Sequence, residues 1–391
     1  MTVAIFGTPG FVERAETFDL PHKLKVTGDN TGNLLFQHAV ANFVDGEKVF
    51  IGLAKRNYGD PVLRSAAKAL LFPAANHLRA EADWTGLNSF LEKTRQKLVI
   101  FGLGVQGRQG DGAGGIVAAL RANPTVQRMV DIFRDKAAFV GVRGALTAEV
   151  CAALGLKDVA VTGCPSLMIS ADPQLGRTVA ARLDALRRGE VPPLVVTAAA
   201  AAELTGDTLT VERRLAALLR DGDLYVQQSG GAAAVALFAG AVPAPGSWEA
   251  RVLGKALFPD APAEAMQDFL SRHGRVFFSV AEWMSATARA GLFLGTRLHG
   301  NMIGLQQGLP CAMIAHDART SELIGQMHMP RLDIAAFLSA PTIEGVVRAV
   351  EFDAEAFDAG RQRAAAIYAE TLPRIGVPVT SALRTLAAIS D

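Results

Sequence analysis

The chain has 391 residues, of which 50% are hydrophobic and 20% charged, so it is long enough for about two or three domains and too apolar to be disordered. Its 39 basic and 38 acidic residues give a formal charge of +1, which excludes the basic surface expected of a nucleic-acid-binding protein. The cysteines Cys151, Cys164 and Cys311 form no closely spaced pair, which argues against a disulfide framework or a structural zinc site and fits a reducing compartment.

The longest apolar run covers residues 232–242. It is well short of the roughly 20 residues that a membrane-spanning helix requires. The sequence therefore predicts a protein without a transmembrane segment, located in the cytoplasm. Peripheral attachment to the inner face of the membrane is the alternative location.

Short β-rich runs alternate with helical patterns in the first half of the chain. The predicted strands are residues 3–6, 24–26, 48–51, 98–101, 138–140 and 159–161. The predicted helices are residues 34–43, 62–71, 84–94 and 145–154. Strands that are separated by helices favour parallel sheets with right-handed crossovers.

The second half repeats this alternation. Its predicted strands are residues 194–196, 224–227, 276–278, 292–294 and 312–314. Its predicted helices are residues 211–219, 232–239, 261–272, 281–290, 302–307 and 320–326. We therefore predict an α/β protein with two Rossmann-like domains that face each other across a cleft. The predicted domains cover residues 1–175 and 190–340, and a helical tail at 341–391 packs back on them.

Three glycines, Gly102, Gly104 and Gly107, follow a predicted strand in the Gly-x-Gly-x-x-Gly spacing of dinucleotide-binding proteins. Further glycines follow where the helix should begin, and the next predicted strand leads to Arg143 without a carboxylate for the ribose. A loop at the cleft is therefore favoured over a dinucleotide site.

Arg143 stands directly after one predicted strand and before the helix predicted at 145–154. Ligands of open α/β sheets bind at the carboxyl ends of strands. We therefore predict that Arg143 binds a ligand in the cleft, and a surface arginine that caps a turn is the alternative.

The sequence Arg297-Leu298-His299-Gly300 follows another predicted strand at the start of a helix. Arginine binds a carboxylate or a phosphate through two parallel hydrogen bonds, and a helix N-terminus adds backbone N–H donors and a partial positive charge. Histidine exchanges protons near neutral pH. The pattern predicts an anion-binding catalytic corner, with a structural Arg–His pair at a turn as the alternative.

A polar loop at residues 27–33 contains Gly28, Asp29, Asn30 and Gly32. Residues of these types form tight turns and cap helices. Taken alone, the loop is as consistent with a turn as with a binding site.

Together these segments resemble the polysaccharide pyruvyl transferase family. The matching segments, in family order, are residues 28–32, 102–106, 142–143, 161–166, 296–300, 308–310 and 314–317. The most specific part is the Arg-Leu-His-Gly sequence followed by Gly-x-Pro at 308–310. Asn33 and Arg319 depart from the pattern, since family members often carry an acid and a lysine near these positions.

The resemblance implies a glycosyltransferase-B-like fold. It also implies transfer of pyruvate from phosphoenolpyruvate, as a ketal, onto a sugar of a cell-surface polysaccharide or its precursor, with release of phosphate. By this analogy Arg143 binds the donor, and Arg297, Leu298 and His299 line the same site. The expected partners are phosphoenolpyruvate and a sugar acceptor, which is free, nucleotide-linked or on a lipid-linked oligosaccharide. No metal or other cofactor is expected.

His299 is the candidate for proton transfer, and Asp29 is the second candidate catalytic residue, with a loop cap as its alternative. The candidate substrate contacts besides the arginines and Leu298 are Asn30, Gln228, Gly300 and His316. Two other functions stay open for the same fold. One is a nucleotide-sugar-dependent glycosyltransferase, and the other is a non-catalytic sugar-binding relative.

Overall fold

A computed structural model of the chain describes residues 2–52, 67–107, 110–189, 192–200, 203–241, 248–315, 318–340 and 342–388. The chain divides into two α/β units, which confirms the predicted fold class. The first unit comprises Met1–Gly10, Phe36–Pro173 and Ala359–Asp391, and the second comprises Phe11–Leu35 and Gln174–Asp358.

The first unit is built on one parallel sheet with the strand order β2-β1-β3-β5-β7-β8. Its strands are β1 (Thr2–Phe6), β2 (Glu47–Ile51), β3 (Ala69–Pro73), β5 (Lys97–Leu103), β7 (Ala137–Val142) and β8 (Val159–Val161). Two short strands, β4 (Leu78–Arg79) and β6 (Val105–Gln106), pair separately. The helices are most of α2 (Asn33–Phe43), α3 (Thr85–Lys93), α4 (Ala113–Arg121), α5 (Pro124–Lys136), α6 (Ala145–Ala153), most of α17 (Ala354–Arg374), and α18 (Ser381–Leu386).

The second unit has a parallel sheet in the order β11-β10-β9-β12-β13-β14. Its strands are β9 (Leu194–Thr197), β10 (Leu224–Val226), β11 (Gly274–Arg275), β12 (Leu292–Gly295), β13 (Cys311–Ala315) and β14 (Arg331–Asp333). Its helices are α1 (Leu20–Val26), α7 (Leu175–Arg187), α8 (Gly206–Leu218), α9 (Ala232–Phe238), α10 (Trp248–Leu257), α11 (Ala263–His273), α12 (Val280–Thr287), α13 (Leu298–Leu305), α14 (Ala318–Gln326), α15 (Ile334–Ser339) and α16 (Ile343–Ala349). Within the described ranges, no helix combines the length and the apolar character needed to cross a membrane.

Strand β3 lies inside the first sheet, and all five of its residues are buried. The Phe72 ring packs 5.0 Å from the Phe6 ring and 6.0 Å from the Phe133 ring. The helix predicted at 62–71 is therefore wrong for residues 69–71, while residues 62–66 lie outside the described part of the chain. An unbroken apolar run fits a buried strand or a buried helix equally well, and only its neighbours decide between them.

Residues 24–26 form the end of helix α1 and not the predicted strand. The Asp19 side chain accepts a hydrogen bond from the His22 N–H at 2.9 Å, and Pro21 lies in the first turn. Both features favour a helix start. The strand predicted at 276–278 is displaced, since β11 ends at Arg275.

The segment 11–35 belongs to the second unit, whereas the sequence placed it in the first domain. The Val12 N–H donates to the Phe278 carbonyl at 2.9 Å, and the Thr31 N–H donates to the Gln228 carbonyl at 2.7 Å. These hydrogen bonds join residues that are far apart in the sequence. No local pattern marks them, which is why the predicted boundary missed them.

The tail helix α17 contributes Tyr368 to the core of the first unit. Its ring stacks on Phe101 at 4.9 Å, and its hydroxyl lies 2.7 Å from Thr162 Oγ1. A Cβ atom on Gly141 would lie 2.3 Å from the Tyr368 hydroxyl oxygen. Strand β7 therefore needs glycine at this position for the tail to pack.

Arg361, on the same helix, is 1% exposed. Its guanidinium donates to the carbonyls of Leu167 and Asp172, each at 2.7 Å, and to the carbonyl of Ser170. A single charged side chain thus satisfies three backbone acceptors of the segment that follows β8.

We expect Arg361→Ala to lower the free energy of unfolding by about 3–5 kcal/mol, because three carbonyls lose a charged donor at once. Urea denaturation of the full chain measures the change. Arg363→Ala, at an exposed position of the same helix, is the matched control and should change it by less than about 0.5 kcal/mol. Similar small effects in both variants would contradict the structural role of Arg361.

Candidate functional site

The carboxyl ends of β9, β10 and β12 lie side by side in the second sheet, because β9 pairs in parallel with both of the other strands. Thr197 is the last residue of β9, Gln228 follows β10, and Arg297 follows β12. The parallel pairing thus brings three residues from distant parts of the sequence to one edge.

Arg297 is the N-cap residue of helix α13, and its backbone N–H lies 3.4 Å from Thr197 Oγ1. Asn301 is fully buried, and its Nδ2 donates to Thr197 Oγ1 at 3.1 Å and to the Arg297 carbonyl at 2.9 Å. The first turn of α13 is therefore held against the end of β9 by a buried amide.

The Arg297 side chain is 15% exposed, and its Nη2 lies 2.8 Å from Oε2 of Glu203. Its Nε is buried and has no hydrogen-bond partner among the described residues. A buried donor without an acceptor is costly, and an anionic ligand could supply the acceptor. This geometry favours an anion site over a purely structural Arg–His pair.

Leu298, His299 and Gly300 form the first turn of α13, and His299 is 7% exposed. The Gly300 N–H donates to Gln228 Oε1 at 3.0 Å. A Cβ atom on Gly300 would lie 2.6 Å from Thr197 Cγ2. Glycine is therefore required at this position for α13 to approach β9.

The polar loop at residues 27–33, which we call the N-terminal loop, lies against the first turn of α13. Asn30 Oδ1 accepts hydrogen bonds from the Gly32 N–H at 2.8 Å and from Gln228 Nε2 at 3.3 Å. A Cβ atom on Gly32 would lie 2.7 Å from Gln228 Nε2 and 2.9 Å from His299 Cβ. The structure thus brings Asn30, Gln228 and His299 together within the second unit.

Asp29 stands apart from this cluster. Its φ of 60° places it in the left-handed region just after α1, a conformation common where helices end. Its side chain is 64% exposed, and its Oδ2 lies 3.9 Å from Lys25 Nζ. The catalytic role of Asp29 stays a prediction, and His316 lies outside the described residues.

Helix α8 carries a carboxylate that the sequence patterns did not single out. Glu212 is fully buried, and its Oε1 accepts hydrogen bonds from the Tyr225 hydroxyl and from the Ala199 N–H, the latter at 3.2 Å. Burial raises the pKa of Glu212 to about 7, although both hydrogen bonds and the charge of Arg297 oppose this rise. Its place beside Val211 on the apolar face of α8 is the signal that could have revealed it.

Arg143 lies at the carboxyl edge of the first sheet, directly after β7. Its Nε donates to the Gly102 carbonyl at 2.9 Å, and its Nη2 donates to the Ala74 carbonyl at 3.4 Å. The guanidinium carbon also lies 5.8 Å from the centre of the Phe36 ring. Because it is 8% exposed and held by the backbone near the ends of β3 and β5, Arg143 is not a loose surface arginine.

His77 follows β3 at the same edge and was missed because that strand was predicted as a helix. Its Nδ1 accepts a hydrogen bond from the Ala75 N–H at 3.0 Å, and its ring stacks on Trp84 at 4.9 Å. Burial, helped by the charges of Arg79 and Arg143, lowers the pKa of His77 to about 4. His77 is therefore neutral near pH 7, and its Nε2 carries the ring proton.

The glycine-rich loop lacks the geometry of a dinucleotide site, since the next helix, α4, begins only at Ala113. A Cβ atom on Gly104 would lie 2.5 Å from Asn76 Oδ1 and 3.2 Å from Arg143 Cδ. Glycine at this position therefore allows Arg143 to pack against the end of β5.

The cysteines are buried and free. Burial raises the pKa of the Cys151 thiol to about 12 and raises that of Cys311 as well. These two thiols therefore stay protonated near neutral pH and are poorly suited to act as nucleophiles or metal ligands. In the part of the chain that the structure describes, no three His, Cys, Asp or Glu side chains are grouped to hold a metal ion.

Arg143 and Arg297 stand at the carboxyl edges of two parallel sheets, the part of open α/β proteins where ligands commonly bind. The family model described as polysaccharide pyruvyl transferase matches residues 30–318. The chain therefore belongs to the polysaccharide pyruvyl transferase family, which confirms the resemblance seen in the motifs and makes the protein a transferase.

The solved structures that match the chain share little sequence with it. A UDP-N-acetylglucosamine 2-epimerase from Rickettsia bellii is 13% identical, with a TM-score of 0.42 over 96% of this chain and 95% of that one. The trehalose-6-phosphate phosphatase N-terminal domain of Candida albicans is 10% identical, with a TM-score of 0.42 over 95% of each chain. No curated protein sequence matches the chain.

We expect Gln228→Ala to speed amide hydrogen exchange at Gly32 and Gly300 by about tenfold, because the side chain that joins their two segments is lost. Mass-spectrometric exchange of the full chain reports on both segments. Gln267→Ala, at an exposed position of α11, is the control and should leave them unchanged. Unaltered exchange in Gln228→Ala would show that this glutamine does not hold the loop.

Proposed function

We propose that the protein transfers pyruvate from phosphoenolpyruvate to two hydroxyl groups of a sugar in a cell-surface polysaccharide or its precursor. The product is a ketal, and phosphate is released. The observation that carries this proposal is the Arg297 guanidinium, which is mostly buried at the N-terminus of α13 with an Nε that lacks a described partner. Family membership supports the transfer of a pyruvyl group.

Phosphoenolpyruvate carries a carboxylate and a phosphate close together, so it needs several positive or N–H donor groups. Arg297 supplies a planar guanidinium, and the first turn of α13 adds backbone N–H groups. The donor anion would replace the Glu203 carboxylate on this guanidinium. We also propose Arg143 as a donor-binding arginine, and Leu298 and Gly300 as donor contacts beside Arg297.

The reaction requires a proton at C3 of the donor while positive charge develops at C2. One sugar hydroxyl attacks C2 and loses its proton, and its oxygen replaces the phosphate, which leaves. A second hydroxyl of the same sugar completes the ketal, and the carbon that was C3 becomes a methyl group. Of the two hydroxyl protons, one balances the proton added to C3 and the other leaves with the phosphate.

We assign proton transfer to His299, which is buried beside the N-terminal loop. Such a role typically contributes about 10²–10⁴-fold to the rate. We also assign Asn30 and Gln228, which are hydrogen-bonded to each other, as contacts for substrate oxygens. Asp29 is proposed to act on an acceptor hydroxyl from its exposed position after α1.

Incubation of the protein with phosphoenolpyruvate and a panel of free and lipid-linked hexosides tests the proposal. We expect an acceptor to gain the mass of one pyruvyl ketal for each phosphate released, measured by mass spectrometry and phosphate assay. Excess EDTA should leave the rate unchanged, since arginines and a helix N-terminus supply the positive charge. Turnover of a nucleotide sugar without any pyruvyl product would instead identify a glycosyltransferase.

Variants of the proposed donor site should separate binding from proton transfer. Arg297→Ala leaves an anion uncompensated in a mostly buried site, which typically costs about 3–5 kcal/mol, or about a hundred- to several-thousand-fold in kcat/KM. Arg297→Lys keeps the charge but loses the planar fork, and Arg143→Ala should resemble Arg297→Ala.

His299→Ala should lower kcat with a smaller effect on donor affinity. Steady-state kinetics beside thermal melts measures both, and wild-type turnover in Arg297→Ala or His299→Ala would show that the site lies elsewhere.

A further inference from the structure

Two carboxylates are linked to the Arg297 side chain. Glu203 contacts it directly, with 2.8 Å between Oε2 and Nη2. Glu212 Oε1 accepts a hydrogen bond from the Ala199 N–H at 3.2 Å, and the Glu203 N–H donates to the carbonyl of the next residue, Ala200, at 2.8 Å. Glu212 therefore binds the backbone directly before the residue to which Glu203 is hydrogen-bonded.

The two oxygens of the Glu212 carboxyl differ. Tyr225 and Ala199 both donate to Oε1, whereas Oε2 is buried without a hydrogen-bond partner among the described residues. An ionised carboxylate with one unsatisfied oxygen in a fully buried site is unfavourable, while the neutral acid can place its proton on that oxygen. Oε2 is therefore the oxygen of Glu212 that can bind and release a proton.

We propose that Glu212 is a positioning residue for Arg297. Glu212 takes up a proton from solvent when an anion binds at Arg297, and it releases that proton when the anion leaves. With both carboxylates ionised, two negative charges act on one guanidinium. A phosphate that replaces the Glu203 carboxylate on the guanidinium carries more negative charge than that carboxylate, and a proton on Glu212 offsets the excess in part. Glu212 acts through Arg297 and not on the reacting atoms.

The groups that act on Glu212 come from three neighbouring elements. They are Tyr225 on β10, Glu203 between β9 and α8, and Arg297 at the start of α13. The pKa of Tyr225 is raised well above its ordinary value by burial and by Glu212, so it remains a hydrogen-bond donor. Since the pKa of Glu212 is about 7, its change of charge falls in the neutral range.

This inference rests on the proposed function only for the identity of the donor anion. The dissociation constants of phosphoenolpyruvate and of inorganic phosphate are therefore measured for wild type and Glu212→Gln from about pH 5.5 to about pH 9. Ionisation of the ligand affects both proteins equally, so the ratio of their dissociation constants reports the effect of Glu212 alone. Gln keeps an acceptor oxygen for Tyr225 and Ala199 but has no charge at any of these pH values.

We expect the ratio of the wild-type to the Glu212→Gln dissociation constant to be near one at low pH. Above neutrality the ratio should rise to about ten, because wild type then binds the anion less tightly. A shift of one unit in the pKa of Glu212 on anion binding corresponds to about a tenfold change in affinity. Calorimetry in buffers of different ionisation enthalpy should show greater proton uptake by wild type than by Glu212→Gln. Glu344→Gln, which removes an exposed carboxylate on α16, is the control and should keep the wild-type profile.

Tyr225→Phe provides a second variant that keeps the carboxyl. The Tyr225 hydrogen bond lowers the Glu212 pKa, so its removal should shift the loss of anion affinity to higher pH. Thermal unfolding gives a readout that needs no ligand. Because the folded-state pKa lies above the ordinary 4.5, the free energy of unfolding of wild type, relative to that of Glu212→Gln, should fall as pH rises from 4.5 to about 7.

Equal pH dependence of both anions in wild type, Glu212→Gln and Tyr225→Phe would overturn the role of Glu212 while leaving donor binding intact. A ratio that rises with phosphate, in a protein that does not bind phosphoenolpyruvate, would support Glu212 and refute the proposed donor. The two proposals therefore fail by different results.

Discussion

The parallel pairing of β9 with β10 and β12 is the constraint on which the second unit's site depends. It places Thr197, Gln228 and Arg297 at one edge, where α13 begins. Gln228 then binds two segments at once, the first turn of α13 through Gly300 and the N-terminal loop through Asn30. The loop at 28–32 and the segment at 296–300, which lie near the two ends of the family's pattern, therefore belong to one hydrogen-bonded cluster.

Charge is the second theme of this cluster. Arg297 stands at the N-terminus of α13. It contacts the half-exposed carboxylate of Glu203 and interacts electrostatically with the fully buried carboxyl group of Glu212. The side chain is thereby held in place by its neighbours, and the net charge around it depends on how many of the two carboxylates are ionised. Burial thus does more than exclude water from the site, because it also brings a carboxyl group's titration into the neutral range.

Much of the architecture could be predicted from local sequence. Alternating apolar runs and helical patterns were sufficient for the α/β class, and strands such as β1, β5 and β12 lie where the runs predict them. Arg143 and Arg297 could be selected because each stands between a strand and a helix, and such positions fall at the ligand-binding edge of a parallel sheet. The family could be recognised because its motifs combine these same local features.

By itself, then, the sequence determined the fold class, the family and the residues that follow the strands, since each depends on neighbours along the chain. Only the tertiary structure decided that β3 is a strand, that residues 11–35 belong to the second unit, and that Glu212 lies in the electrostatic environment of Arg297. Each of these depends on contacts between distant residues, such as the hydrogen bond from the Thr31 N–H to the Gln228 carbonyl. Such contacts form when sheets and helices pack, and they leave no periodic pattern in the sequence from which they could be read.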